Sequence, residues 1–435
     1  MFSEFLSSLK ELTPLFEKVF NILKTWWWLI IPSFFGKQLL FYWLWWRKEK
    51  FDATVKRVLI EVRIPRESLK PIRAMETVMT GLWQLYGPPN WYEKWWKGEF
   101  ILSYSFEIVA IDGVPHFYIR LPERYRTIAE SHIYSQYPEA EISLVDDYTQ
   151  NVPQDIPDKD WEMWGTDYKL TRPESYPIKT YPQFETERET EEEKRIDPIA
   201  GLLEGMARLK SGEQIWVQIV ATPTLDELPW VKDGEKLRDK LVRRKEAPAP
   251  KPMIQELFDL VVMGQPPGAQ KKEEDGEIPP EMKLTPGEKE VVAAVEKKIG
   301  KLGFITNVRY IYLARRDAFS SSNIRIAMSY FVNFVTENFN GIVPWGETIT
   351  KVKQNWYDWF WFVKRRLYLK KRRIFRNYVL RENPKFPQEG GTFMLNTEEL
   401  ASIYHFPSRM VAPAPLVPRV EAKKGEAPSE LPVEE

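Results

Sequence analysis

The sequence predicts an α+β protein in which an N-terminal membrane helix precedes two ferredoxin-like units of the split βαβ kind, related by duplication. Three observations predict this. Residues 25–50, "TWWWLIIPSFFGKQLLFYWLWWRKEK", are apolar, with tryptophans at both ends and cations behind them. Residues 51–150 carry four runs of alternating apolar residues and two of helical spacing, in the order β-α-β-β-α-β. Further on, "YIYLARRDAFSSSNIRIAMSYFVNF" echoes "FYIRLPERYRTIAESHIYSQY", each an aromatic strand, a basic turn and an amphipathic helix.

In residues 1–24, Phe2, Phe5, Leu9, Leu12, Phe16, Val19 and Leu23 recur at three and four. That is an amphipathic helix, placed either on a membrane surface or against the protein itself. From Trp26 to Trp46 one helix would extend roughly 31 Å, about one hydrocarbon thickness. Trp26, Trp27 and Trp28 mark one end, and Trp43, Trp45 and Trp46 the other, as aromatic belts do. Lys37 near the middle costs about 2.5–3.5 kcal/mol, which neighbouring Leu, Ile and Phe offset. The rival readings are a re-entrant hairpin broken at "PSFFGKQ" and a soluble core helix. Cations gather after the stretch (Arg47, Lys48, Lys50, Lys56, Arg57, Arg63 and Arg66), with only Lys10, Lys18 and Lys24 before it. The positive-inside bias therefore predicts one span at the cytoplasmic membrane with residues 51–435 in the cytoplasm. No small-residue cleavage site follows, so a removed signal peptide is not expected.

The first unit, 51–150, begins with a strand carrying Val58, Ile60, Val62 and Ile64, then a helix with Leu69, Ile72, Met75, Met79 and Leu82 inward. A strand from Phe100 to Ile108 follows, then Asp112–Gly113 as a type I′ hairpin signal, a return strand, a helix after Pro122, and a last strand at Ile142 and Leu144. Residues 151–196 read as a linker with an acidic tract, though 162–181 can supply edge strands. The second unit, 197–345, holds "GEQIWVQIVATP" as a strand, a helix capped by Thr285, the long strand "GFITNVRYIYLARRD" and a helix from Ser320 to Glu337. An insertion at 244–284 separates its parts; a short apolar helix inside it is either a docking element or a solvated excursion. Residues 346–410 hold a basic aromatic segment and a docking helix. Residues 411–435 are Pro-rich and expected to be extended or disordered.

Composition excludes several chemistries. The chain of 435 residues has no cysteine, which removes disulfides, thiolate metal sites and thiol nucleophiles. Lys plus Arg and Asp plus Glu are 62 each, so net charge points to no partner. His116, His132 and His405 are too far apart in sequence for a metal motif. No P-loop, dinucleotide fingerprint, HExxH, GxSxG or EF-hand pattern is present. The expectation is a non-enzyme with no cofactor.

One charged constellation remains. In "WYDWFWFVKRRLYLKKRRIFRNYVLR", residues 356–381, Lys364, Arg365, Arg366, Lys370, Lys371, Arg372 and Arg373 form two basic runs among aromatic and aliphatic residues. They suit nucleic-acid phosphates and bases, anionic lipid, or a helix that covers a sheet with its charges in solvent. In "LNTEELASIYHF", Asn396 with Glu399 forms a capping box, and Leu400, Ile403 and Tyr404 make one face. That face either packs locally or docks a partner.

"RVLIEVRIPRESLKPIRAMETVMTGL", "FEIVAIDGVPHFYIRLPERYRTIAESHIYSQYPEAEI" and "GEQIWVQIV" resemble a bacterial membrane-anchored domain of unassigned function. "FMLNTEELASIYHFPS" is similar to a segment placed just before the motor in type IV secretion coupling-protein-like ATPases of the TraG/TraD and HerA-like group. The resemblance implies a membrane-anchored platform or accessory subunit of a translocation or conjugation system. Its ATPase would be a separate P-loop protein acting in trans, docked through Leu400, Ile403 and Tyr404. DNA or anionic lipid at the basic segment and a homo-oligomer are further partners to consider. The alternative is a membrane-tethered nucleic-acid-binding module without a motor partner.

Overall fold

Alternating apolar residues become strands where the sequence places them, but the strands join a single sheet. The computed structural model describes residues 35–65, 70–85, 87–184, 197–224, 229–242, 284–352, 360–382 and 391–407, together with Lys18, Asn21, Lys24 and Thr25. The helix expected at 1–24, apart from Lys18, Asn21 and Lys24, lies outside the described residues, as do Trp26, Trp27 and Trp28. So do the acidic tract at 185–196, the insertion up to 283, and the tail. The chain forms two compact units: Met1–Lys56 with Gly87–Ile101, and Arg57–Tyr86 with Leu102–Glu435.

In the larger unit the strands are β1 (Arg57–Arg63), β2 (Tyr104–Ile111), β3 (Val114–Pro122), β4 (Glu141–Val145), β5 (Trp161–Leu170), β6 (Glu213–Pro223), β7 (Gly303–Arg315), β8 (Ile342–Pro344) and β9 (Thr392–Asn396). They lie in the order β4-β1-β3-β2-β6-β7-β5-β8, with β9 also on β7. Every pairing is antiparallel. Asp112 and Gly113, at φ 50° and 84°, make the tight β2–β3 turn, where two left-handed residues match the strand twist.

The expectation of two ferredoxin-like units is wrong. The first four strands do run β4-β1-β3-β2, but β2 is not an edge. It pairs with β6 from Tyr104↔Ala221 to Ile111↔Gln214, so the sheet continues. The cause is burial on both faces. Six of the eight β2 residues are apolar, and nearly all of β2 and β6 is buried, as in strands covered on both sides. Such a strand cannot leave its ladder groups in water at an edge. The second half is not a split βαβ either. β7 shares its far edge between β9, at Gly303–Asn307, and β5, at Arg309–Arg315.

A different helix layer covers each face. On one side α2 (Ile72–Trp83), α3 (Arg126–Gln136), α5 (Ala200–Ala207), α8 (Arg325–Val332) and α10 (Thr397–Ile403) close the main core over Ile60, Phe106, Val217 and Tyr310. The short α4 (Tyr181–Phe184), α6 (Pro229–Leu241) and α7 (Pro286–Ile299) complete the unit, the last with a capping box between Thr285 and Glu288. On the other side α9 (Phe360–Leu380) and the loop bearing Tyr148, Val152 and Ile156 close a second core on Trp216, Ile311 and Leu313.

The smaller unit contains α1, residues 35–52, and a π-helical turn, Glu93–Lys97. Among the described residues no helix is long and apolar enough to cross a membrane, so the expected N-terminal membrane helix is corrected. The reason is visible in α1: Lys37, Arg47, Lys48, Glu49, Lys50 and Asp52 all fall within it, and each charge costs insertion energy. The π-helical turn is held to α1 by Trp43, whose Nε1 donates to the Trp95 carbonyl at 3.1 Å, and by the edge-on Trp43–Trp96 contact at 5.9 Å. Gly98 makes this possible: its φ is 78°, and a Cβ there would run into the Arg47 carbonyl. Gly98→Ala is expected to destabilise the smaller unit by at least about 1–2 kcal/mol, the left-handed penalty before any clash. Thermal unfolding followed by tryptophan fluorescence checks this; an unchanged first transition would refute it.

Candidate anion-binding face on a basic helix

Helix α9 has neither Gly nor Pro and is rich in Leu, Lys and Arg, all good helix formers. It carries Lys364, Arg365, Arg366, Lys370, Lys371, Arg372, Arg373 and Arg376, and no Asp or Glu. One face buries Ile374, Phe375 and Tyr378. Tyr378 stacks at a tilt on Trp216 with ring centres 5.1 Å apart. Gly165 permits this approach, since a Cβ there would meet the Ile374 side chain at 3.0 Å.

The helix ends on a left-handed residue that is not glycine. Arg381 sits at φ 55°, its N–H donates to the Tyr378 carbonyl, and the Glu382 N–H donates to the Asn377 carbonyl, which is the Schellman pattern. A left-handed non-glycine residue costs about 1–2 kcal/mol. The side chain accounts for it. Arg381 Nε donates to Glu107 at 3.0 Å and Nη1 to Asp147 at 2.5 Å, with Glu107 fully buried. Burial by itself would raise the Glu107 carboxyl. The Arg381 charge and hydrogen bonds from Arg381, Ser105 and Tyr148 outweigh it, so the net shift is downward.

Glu107 belongs to a polar row under α9. Neighbouring strands set Glu107 opposite Gln218, Gln218 opposite Arg309, and Arg309 opposite Asp167. Arg309 Nε donates to Asp167 at 2.8 Å, Nη1 to Gln218 at 3.1 Å, and Nη2 to the Glu382 carbonyl at 2.8 Å. Gln218 Nε2 donates to Glu107 and to the Tyr378 carbonyl, each at 3.1 Å. The row thus supplies donors to the carbonyls at the α9 C-terminus, where helices leave theirs unpaired and where cations favour the dipole. Sequence reasoning missed it. The available signal was a polar residue at an inward position of an apolar strand: Glu107 in "FEIVAI", Gln218 in "WVQIV", Arg309 in "NVRYIY".

The outward face of α9 is exposed. Phe362, Arg365, Arg366, Leu369, Arg373, Arg376 and Leu380 recur at three and four along it, and all are exposed. Leu369 and Phe362 are 49% and 54% accessible. Of the residues expected from sequence, Lys364, Arg365, Arg366 and Arg373 are exposed, and the last three lie on this stripe. Lys371 turns inward to Glu162 at 2.6 Å, and Arg372 pairs with Asp155 at 2.8 Å and with the Tyr368 hydroxyl at 2.9 Å. Lys370 is half-buried; burial lowers its pKa, and Arg366 and Arg373 act in the same direction. Arg376 and the apolar members of the stripe were not anticipated. Beside Lys371, a pocket of about 360 Å³ is lined by Glu162, Trp164, Arg316 and Phe319, and both its cations bond to Glu162.

The expected docking face does not face outward. Leu400, Ile403 and Tyr404 are all 0% accessible and sit in the main core, Tyr404 against Phe106 at 5.1 Å. The capping box of Asn396 and Glu399 is present. The acidic side chains of α10 are also held: Glu399 to Lys298 at 3.1 Å, and Glu398 to Lys297 at 2.9 Å and Lys301 at 2.5 Å. These residues close the fold and offer no surface to a partner. In the smaller unit, Trp43, Trp45 and Trp46 are exposed. Among the described residues no group of three His, Cys, Asp or Glu side chains could hold a metal ion.

The fold and this face define an α+β protein of one antiparallel sheet with a cationic outer helix. The chain belongs to the family described as Domain of unknown function (DUF8128), which matches residues 47–414. No curated protein matches the chain.

Proposed function

We propose that the protein is a non-catalytic platform subunit held at the inner face of a cytoplasmic membrane, part of a type IV secretion-like translocation system with a separate P-loop ATPase. The observation that carries the membrane-surface reading is the outer stripe of α9, where Arg365, Arg366, Arg373 and Arg376 alternate with Phe362, Leu369 and Leu380. Cations meet anionic headgroups at about 1 kcal/mol each, and apolar side chains between them enter the headgroup boundary. Leucines at two of the three apolar positions favour lipid over nucleic acid, whose bases need aromatic platforms. The resemblance of "FMLNTEELASIYHFPS" to the segment before the motor of coupling-protein-like ATPases supports the choice of machine.

The test reverses Arg365, Arg366, Arg373 and Arg376 to Glu in the full chain. All four are exposed, so the fold should be kept. Flotation with vesicles containing phosphatidylglycerol should then fall by roughly a thousandfold, the four charges taken together. Unchanged flotation would refute the lipid reading, and wild-type binding to DNA but not to vesicles would favour the nucleic-acid module. Capture from native membranes should bring down a P-loop ATPase; its absence would remove the translocation system from the proposal.

A further inference from the structure

Strand β4 ends the sheet, and among the described residues no strand pairs with its outer edge. The direction of its backbone groups follows from the β2–β3 turn. A two-residue turn closes on a hydrogen-bonded pair, here Ile111↔Val114, and bonded and non-bonded pairs alternate from there. Ile119 and Leu121 of β3 therefore bond to β1, and Leu59, Glu61 and Arg63 of β1 bond to Val145, Ser143 and Glu141 of β4. Ile142 and Leu144 are left with N–H and C=O directed outward, two donors and two acceptors in a row. Natural sheets blunt such an edge with Pro, Lys, a bulge or a very short strand. The opposite end of this sheet is blunted: β8 has three residues and ends in Pro344. β4 has five residues, "EISLV", with no Pro, Lys or Arg, and its register on β1 is unbroken. Leu144 stands 50% exposed on the face where Ile142 packs against the main core.

The strand is complementary to itself. Laid antiparallel on a second β4 with Ser143 opposite Ser143, all five residues pair. Ile142 then falls opposite Leu144 of the other copy, twice. Each of these pairs exchanges two hydrogen bonds and covers the exposed leucine. Glu141 falls opposite Val145, so no carboxylate faces its own copy. A foreign strand would need apolar residues at the same two positions, whereas a second copy supplies them by symmetry. We infer that two copies of the chain associate through β4, joining their sheets edge to edge about a twofold axis at Ser143. This association requires neither lipid nor an ATPase. Five paired residues make a small interface, so the dimer is expected to be weak, in the micromolar range.

Sedimentation of the full chain, from micromolar to submillimolar concentration, should show a monomer–dimer equilibrium. Leu144→Pro removes an outward N–H and none that bonds to β1, so the fold should be kept. The dissociation constant should rise at least about fivefold, two hydrogen bonds being lost per dimer. Leu144→Lys, which charges the edge, should act in the same direction. Ser143→Pro removes a bond to β1 and should lower the thermal midpoint, which Leu144→Pro should change little. The chain has no cysteine, so Ser143→Cys introduces a single thiol. Across a non-hydrogen-bonded pair the Cα atoms are about 4.5 Å apart, within disulfide reach, and oxidation should give a covalent dimer. A chain that stays monomeric throughout the series would overturn the inference, as would a dimer that both Leu144 substitutions leave unchanged. Unfolding of the larger unit by Leu144→Pro would show that its N–H bonds inward and would overturn it too.

Discussion

Replacing Arg381 by glycine is expected to lower the unfolding free energy by roughly 1–4 kcal/mol. Breaking a buried ion pair by removing one partner costs about 3–5 kcal/mol, since the other charge stays buried. Glycine at a left-handed position returns about 1–2 kcal/mol of backbone strain. The difference is the expected result, measured by urea unfolding at neutral pH. The choice of glycine separates side chain from backbone, because the φ of 55° suits it. A variant as stable as wild type would show that the Glu107 and Asp147 pairs contribute nothing net. Adding Glu107→Gln should recover part of the loss, because the stranded charge is then gone.

The same pairs set an acid dependence. Burial pushes the Asp147 carboxyl up, but hydrogen bonds from Arg381, its charge, and Thr149 bring the net shift below the ordinary range, as for Glu107. Groups with depressed folded pKa values contribute stability that is complete above the ordinary carboxylate range and is lost as pH falls through it toward their folded values. Wild-type stability should therefore decline on acidification through that window. The Arg381→Gly variant should decline less steeply there, and parallel curves would refute the assignment.

Substituting Leu400 and Ile403 together by Asp is expected to prevent folding of the larger unit. Both side chains are 0% accessible in the main core. Truncating one such residue to Ala costs about 2–5 kcal/mol, and an unpaired buried charge adds several more. The sum approaches or exceeds the roughly 5–15 kcal/mol of a whole domain. Limited proteolysis should cleave throughout the unit, whereas Leu400→Ala alone should stay folded with a lower urea midpoint. A folded, protease-resistant double variant would mean that α10 is not part of the core.

Much of the local structure was legible. The Asp112–Gly113 turn, the capping boxes at Thr285 and Asn396, and the inward residues of β1, β2 and β6 each depend on neighbours a few positions away. The basic helix was legible in its charge, but not in its orientation. Lys371 and Arg372 look equivalent to Arg373 in the chain, yet the first two reach Glu162 and Asp155, over two hundred residues earlier. The same distance hid the burial of α10. In "LNTEELASIYHF" the apolar face of Leu400, Ile403 and Tyr404 suits local packing or docking alike, and Lys297, Lys298 and Lys301, which hold Glu398 and Glu399, lie about a hundred residues before them.

By itself the sequence determined many of the strands and helices, though not β8 or β9, and several of their caps and turns, because periodicity and capping act within a few residues. Only the tertiary structure decided that β2 pairs with β6, that β7 divides its far edge between β9 and β5, and that a row of polar residues meets the end of α9. Every strand edge offers the same N–H and C=O groups, so local pattern cannot choose its neighbour. The choice falls to burial: β2 and β6, covered on both faces, are satisfied only side by side within one continuous sheet.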